Sequence, residues 1–175
     1  MQIEVRNVKV AKFASEETLC FEATVYVNGK RVATVGNDGH GGPDRWSDYA
    51  VERQIDAYAK TLPPVKFRVS DTEVMDLEQN AEMIIGDLVN EALLLNDFKR
   101  DLSKRIMWID EEGKVRMTKA MPKAQLTGFV ADPLLVHKLP KNPKAVTVLN
   151  QFALPEAFRQ YKAAMEAAAP HPLGA

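Results

Sequence analysis

LCFEATVYVNG, residues 19–29, is the stretch on which the fold turns. Leu19, Phe21, Ala23, Val25 and Val27 alternate with Cys20, Glu22, Thr24 and Tyr26, the two-residue period of a strand that buries one face. Asn28-Gly29 follows at once. That dipeptide supplies the positive φ angles of a type I′ turn, so Arg31–Gly36 is expected to return beside it as an antiparallel strand. Upstream, Ile3 and Val5 alternate with Gln2, Glu4 and Arg6 before the apolar phase flips to Val8 and Val10. Such a flip predicts a bulge near Asn7. Residues 2–36 therefore read as a three-stranded meander.

Beyond the meander the period changes to that of helices. Ser47 is placed to cap a helix, with Trp46 and Val51 as a hydrophobic staple and Val51, Ile55, Tyr58 and Leu62 as its buried stripe. Pro63-Pro64 ends it. Leu77, Ala81, Ile84, Ile85, Leu88, Ala92 and Leu95 keep the three-and-four spacing of a second, central helix. Asn96 is expected to cap a further short helix with Phe98 and Leu102 facing inward. Ile106–Asp110 and Lys114–Thr118 form a second hairpin turned at Glu112-Gly113. Residues 122–139 point to a short helix broken before Pro133. Val146–Leu149 reads as a last strand and Pro155–Ala168 as a terminal helix, with Pro155 in its first turn. The expected fold is α+β: an antiparallel sheet, the meander plus the second hairpin, with helices packed on one side. No stretch rich in Gly, Ser or Pro divides the chain, so residues 1–169 read as one domain and 170–175 as a mobile tail.

At 175 residues the chain is long enough to bury a proper core. No apolar run approaches the roughly 18 residues that a membrane helix needs, and the first residues enter a strand pattern directly. One cysteine, Cys20, excludes an internal disulfide, and its position opposite Leu19 and Phe21 fits a half-buried small hydrophobe better than a nucleophile. The cytoplasm, that of the host cell if a phage encodes the protein, is the expected compartment.

Residues 37–46, NDGHGGPDRW, are the least bland stretch. Gly39, Gly41 and Gly42 open backbone conformations closed to other residues and expose amide N–H groups suited to an anion. His40 lies between them without bulky neighbours, and Asp38, Asp44 and Arg45 are close in sequence. In an enzyme reading His40 acts as acid or base, Asp38 or Asp44 orients it, and Arg45 holds an anionic, phosphate-containing group. Gly39, His40, Gly41, Gly42 and Arg45 are the candidate ligand-binding set. The bland alternative is a long Asx- and Gly-rich turn anchored at Trp46. The spacing matches neither a Walker loop nor a dinucleotide fingerprint. His40, His137 and His171 lack the His or Cys neighbours of a metal site, so neither metal nor cofactor is expected.

Charge is distributed unevenly. Residues 1–98 hold 10 Lys+Arg against 17 Asp+Glu, and residues 99–175 hold 13 against 7. Eight acids run from Asp71 to Asp97 (Asp71, Glu73, Asp76, Glu78, Glu82, Asp87, Glu91 and Asp97) with no Lys or Arg between them. Glu78 with Glu82 and Asp87 with Glu91 stand four apart, where like charges on a helix cost about 0.2–0.5 kcal/mol per pair. Such a face serves to meet a partner protein with a basic surface, for which Glu78, Glu82, Asp87 and Glu91 are the candidate contacts. Pairing with the basic segment Lys99-Arg100, Lys104-Arg105 is the plainer alternative. Aromatic residues do not interleave with those basic residues, which disfavours nucleic acid. A third reading is a homodimer in which the stripe around Leu88 and Leu95 continues into a second chain.

Arg6-Asn7-Val8-Lys9, Ser15-Glu16-Glu17-Thr18, Phe21-Glu22-Ala23, Val25-Tyr26-Val27-Asn28-Gly29 and the Gly39-His40-Gly41-Gly42 loop together resemble a family of uncharacterised small proteins carried by phages, prophages and plasmids. Val146–Asn150 and the terminal helix resemble the C-terminal end of the same family. The resemblance implies a mobile-element context and an accessory protein that binds and modulates a host or defence protein. It carries over no catalytic residue.

Overall fold

The structure, a computed structural model, describes residues 1–70, 73–141 and 143–168, with only the backbone of Arg68 included. The expected tail, with His171, and Asp71 of the acidic run lie outside the described residues. The fold is α+β. Two compact units, Met1–Leu94 and Leu95–Ala175, divide the chain. The boundary falls within a helix, close to the point where the chain passes from acid-rich to base-rich.

In the first unit the meander forms as its residues predict. Strands β1 (Ile3–Val10), β2 (Phe21–Val27) and β3 (Lys30–Asn37) pair antiparallel, and a two-residue β4 (Arg45–Trp46) extends the sheet to the order β1-β2-β3-β4. Asn28 and Gly29 have φ of 49° and 78°, as the hairpin turn requires. Asn7 has φ 55°, and the β1–β2 register shifts between Arg6 and Lys9, the bulge that lets Val8 follow Val5 toward the core side. Ala23, Val25, Val27, Ala33 and Val35 line the buried face of the sheet.

Trp46 of β4 and the helices α1 (Tyr49–Ala59) and α2 (Ala81–Leu102) complete that core, the helices through Val51, Ile55, Ala81, Ile85 and Val89. Each side chain of this size withdrawn from water contributes about 1.5–3 kcal/mol. The cap of α1 is Asp48 instead of Ser47: its carboxylate accepts the Ala50 N–H at 2.8 Å. Ser47 is held elsewhere, exchanging hydrogen bonds with the Thr34 main chain through its N–H (2.9 Å to the carbonyl) and its Oγ (2.8 Å from the amide). α2 begins four residues after Leu77, with the Asn80 side chain accepting the Met83 N–H at 2.9 Å. It runs without a break through Asn96, so no separate short helix forms there. Its most buried line is Ala81, Ile85 and Val89, while Leu88 and Leu95 are half-buried. Between α1 and α2 lies a hairpin not expected above, although Val65, Phe67 and Val69 alternate with Lys66 and Arg68: β5 (Val65–Arg68) with β6 (Val74–Leu77). These two strands form a sheet of their own.

The second unit has a three-stranded antiparallel sheet of order β8-β7-β9, from β7 (Met107–Asp110), β8 (Val115–Met117) and β9 (Ala145–Val148). The strands therefore divide among three sheets instead of forming one. Gly113 turns the hairpin with φ 77°. Helix α3 (Lys123–Val130) and the short α4 (Leu135–Lys138) flank Pro133, and Ile106, Trp108, Leu126, Leu135, Leu139, Ala145 and Val148 form the core. Helix α5 (Leu154–Ala168) stacks Phe158 and Tyr161 on the buried Phe98, with centroids 5.7 and 4.7 Å away. The Asn150 carboxamide donates to the carbonyls of Leu102 (3.1 Å) and Arg105 (2.8 Å) while accepting the Met107 N–H (2.7 Å). It thereby satisfies acceptors that the end of α2 leaves open. Among the described residues no helix is long and apolar enough to cross a membrane.

Ile85→Ala is expected to lower the unfolding free energy by about 2–5 kcal/mol, because Ile85 is fully buried. Leu88→Ala, at a half-buried position, is expected to cost less than half as much; denaturant titration of the two variants reads the phase of the helix directly.

Candidate functional site

The Gly-His loop hangs on one side chain. Asn37, the last residue of β3, is buried, and its carboxamide makes four hydrogen bonds. Oδ1 accepts from Thr18 Oγ1 (2.8 Å) and from the Gly39 N–H (2.9 Å). Nδ2 donates to the Gly42 carbonyl (2.9 Å) and to Asp44 Oδ1 (3.0 Å). Both limbs of the loop are thus tied to the strand that launches it. The Gly39 carbonyl in turn accepts the N–H groups of Glu16, Glu17 and Thr18 at 3.0, 2.9 and 3.2 Å.

Two of the three glycines are required by this packing. Gly39 has φ 91°, and a Cβ there would stand 2.0 Å from the Ala14 carbonyl oxygen. At Gly41 the φ of 78° is itself the requirement, since a Cβ would stand 2.2 Å only from the movable Oε2 of Glu17. Their amides are already engaged, Gly39 with Asn37 and Gly41 with Thr18 Oγ1 at 3.3 Å. At Gly42 a Cβ would meet nothing within 4 Å.

The candidate catalytic residues separate. His40 is exposed and places Nδ1 3.4 Å from Glu16 Oε2, itself exposed. Arg45 lies 3.6 Å from Asp38, again at the surface. Asp44 turns the other way, toward Asn37, and its N–H donates to Glu82 Oε1 at 3.0 Å. Burial raises the Asp44 carboxyl above the usual carboxylate range; the Asn37 hydrogen bond opposes this, and the charges of Glu82 and Glu52 add to it. Among the described residues no hydrogen bond or ion pair joins His40 to Asp38, Asp44 or Arg45.

Two clefts border the loop. One, of about 460 Å³, lies over the sheet and is lined by Lys9, Cys20, Glu22, Thr34, Asn37 and Arg45, among others. The other, of about 410 Å³, has Thr18, Asn37, Asp44, Glu82 and Asn90 as its polar lining, with Leu19, Phe21 and Val89 as its apolar one. His40 lines neither. Thr18, Asn37 and Asn90 are the contributors that periodicity does not single out. Asn37 had a local signal, an Asx residue two positions before a glycine at a strand end, the mark of an Asx turn.

The acidic candidates divide as well. Glu78 is exposed but precedes α2, so it makes no helical pair with Glu82. Glu82, Asp87 and Glu91 are exposed positions on α2. Arg100 pairs with Asp97, the last acid of the run, at 2.6 Å, and Arg105 with Asp101 at 3.3 Å, so the basic segment meets the acidic run at its end. Among the described residues neither Glu82 nor Asp87 has an ion-pair partner, and no cluster of three or more His, Cys, Asp or Glu could hold a metal ion. His137 is exposed at the end of α4. Comparison of the chain with protein-family models, curated proteins and solved structures gave no match.

Gly39→Ala is expected to destabilise the first unit by about 1–3 kcal/mol or more, since it adds left-handed strain to a main-chain clash, whereas Gly42→Ala should remain within about 0.5 kcal/mol. Thermal melts of both variants test this. Asp44→Asn keeps the acceptor for Asn37 and removes a half-buried charge. A carboxyl whose folded value is raised destabilises the fold when ionised, so the variant should melt higher than the parent at pH 7. That advantage should disappear as pH falls through the folded-state value of Asp44, a trend that melts across an acid pH series would reveal.

Proposed function

We propose that this chain is a small accessory protein, of phage or other mobile-element origin and cytoplasmic, that binds and modulates a protein partner bearing a basic surface. The observation that carries the reading is the hydrogen bond from the Asp44 N–H to Glu82 Oε1. It brings the loop and the acidic helix, far apart in sequence, to the two sides of one cleft. The cleft has carboxylates at Asp44 and Glu82, a carboxamide at Asn90 and an apolar lining at Leu19, Phe21 and Val89. A Lys or Arg side chain suits that combination, with its methylene stem on the apolar residues and its charge at the acids. Asp87 and Glu91 extend the negative surface along α2. A cation entering here offsets the burial, and the lesser repulsion from Glu82 and Glu52, that hold the Asp44 carboxyl up, so binding and ionisation favour one another.

The rival reading, an enzyme or ligand-binding domain that uses the loop on an anionic group, has less support. The Gly39 and Gly41 amides are spent on Asn37 and Thr18, and His40 and Asp44 face different partners. Those two amides are therefore not open to a phosphate.

The test compares capture from a bacterial lysate by the parent, by Asp87→Lys/Glu91→Lys, and by Glu82→Gln, which retains an acceptor for the Asp44 N–H. A partner held by the parent at low salt should be lost with the double reversal and weakened about ten-fold or more by Glu82→Gln, as expected when one member of a desolvated charge pair is removed. Undiminished capture by all three proteins would remove this surface from consideration, and loss of activity toward a phosphate ester in His40→Ala would restore the enzyme.

A further inference from the structure

The four-stranded sheet buries one face against α1 and α2, and the register sets out its other face in rows. Arg31 and Glu4 stand on either side of Tyr26, and Arg6 and Thr34 on either side of Thr24. The last row crosses all four strands as Lys9, Glu22, Gly36 and Arg45. Residues directly opposite in a strand pair share a face, so these side chains stand together on the side away from the core. Arg6, Lys9, Glu22, Arg31 and Arg45 are accordingly exposed. Two clefts on this face, of about 460 and 480 Å³, share Lys9, Glu22 and Thr34 in their lining and form one trough. Arg45 lines one end of it, and Arg31 with Tyr26 the other. Glu22 is the one acid of the lining, set against the three cations Lys9, Arg31 and Arg45. Arg45 meets Asp38 at 3.6 Å, whereas among the described residues Lys9 and Arg31 form no ion pair. The Arg6 guanidinium lies over the Tyr26 ring, 4.2 Å from its centroid. Just past the end of β1, where Lys9 stands, the turn carries Lys12 and Phe13, and Phe13 is 93% exposed.

We infer that this face of the sheet binds single-stranded nucleic acid. Charge calls for an anion: the trough holds three cations to one acid in a unit that is otherwise acidic, and two of the three are not neutralised. The cations are spread over the face instead of converging, which suits a chain of phosphates better than a single one. Unbound bases stack on aromatic rings and on guanidinium planes, and the face has both in Tyr26 and Arg6 at one end, with the bare Phe13 ring beyond the other. This is what Lys99-Arg100 and Lys104-Arg105 of the second unit lack. Thr24 and Thr34 add hydroxyls for phosphate or sugar. An acidic protein would want the apolar centre of a specific interface, which these rows do not have. A duplex is read by an element that enters a groove, whereas an open sheet face takes a strand laid flat. Three strand spacings make the face about 14 Å wide, and Glu22 to Tyr26 spans about 13 Å along β2. That is room for about 4 nucleotides, the small end for such platforms. The face lies across the sheet from α2, so it is distinct from the acidic cleft and independent of its proposed role.

Fluorescence anisotropy of a labelled oligothymidylate of about 12 nucleotides, titrated with the full chain, provides the test. Binding should be micromolar at low salt, and the logarithm of the affinity should fall against that of salt with a slope of about −2, since three cations each displace a counterion. Lys9→Ala/Arg31→Ala should weaken binding about ten-fold or more and lower the slope by about 1.4. Phe13→Ser, at a position with no packing to lose, should weaken it about five-fold or more through the lost stacking. Glu22→Gln removes the acid and should tighten it, an effect opposite to that on a basic partner. Lys99→Ala/Lys104→Ala, in the second unit, should bind as the parent does. These positions are all exposed, so each variant should melt with the parent. No anisotropy change up to about 100 μM protein at low salt would overturn the inference. So would binding lost only in Lys99→Ala/Lys104→Ala, or the same strand held equally well when annealed to its complement. Phe13-dependent binding to phosphatidylserine vesicles without binding to the strand would assign the face to a membrane surface instead.

Discussion

A carboxamide sealed from water must satisfy two donors and two acceptor positions within the protein, and at Asn37 this requirement organises much of the first unit. Its four hydrogen bonds reach Thr18 on the segment before β2, Gly39 and Gly42 within the loop, and Asp44 just before β4. An unsatisfied buried polar group costs about 1–3 kcal/mol, so displacing any of these segments carries a penalty out of proportion to its length. The placement of Asp44 then determines where its N–H points, and that N–H meets Glu82 on α2. Strand, loop and helix are thus linked through one polar residue embedded beside an apolar core.

The second unit solves a similar problem with Asn150. There the open carbonyls belong to the end of α2, and the half-buried amide that meets them arrives from the turn after β9. Asp110 plays a third version of the role. Burial alone would raise its carboxyl, but the Arg116 guanidinium and the Lys114 and Glu112 amides outweigh burial and hold it below the usual range. In each case polar atoms inside the fold specify which segments meet, while apolar side chains supply most of the free energy.

How much of this was legible in the sequence follows from the range of the interactions involved. Asn28-Gly29, Glu112-Gly113 and the phase flip at Asn7 encode their turns and bulge locally, and the structure agrees with each. The α2 stripe was legible in part. Ala81 and Ile85 fall where the spacing puts them, but Val89, outside the expected stripe, is buried while Leu88 and Leu95 are only half so, and tertiary neighbours decide that phase. Ser47 and Asp48 are equally good caps in isolation; the neighbouring β3 main chain takes the serine and leaves the aspartate for the helix. At the site, glycines and acids were visible as residue types, but the partners that give them meaning, Glu16, Thr18 and Glu82, lie 21 or more positions from the residues they engage at His40, Gly41 and Asp44. A chain of letters carries no record of such distances. The hairpin β5–β6 carried its alternation in the sequence, Val65, Phe67 and Val69 against Lys66 and Arg68, but no Asn-Gly or Asp-Gly pair marks its reversal.

The clamp on the loop also separates what must be preserved from what is free to vary. Asn37, Gly39 and Gly41 hold the shape through contacts with residues 14–18, while His40, Gly42 and Arg45 only occupy positions on that shape. Such a division is that of a display scaffold, in which a rigid frame presents interchangeable side chains, much as antibody loops do on their sandwich. Keeping the three frame residues leaves the displayed ones exchangeable at little cost in stability, so the surface can change its chemistry while the chain folds as before.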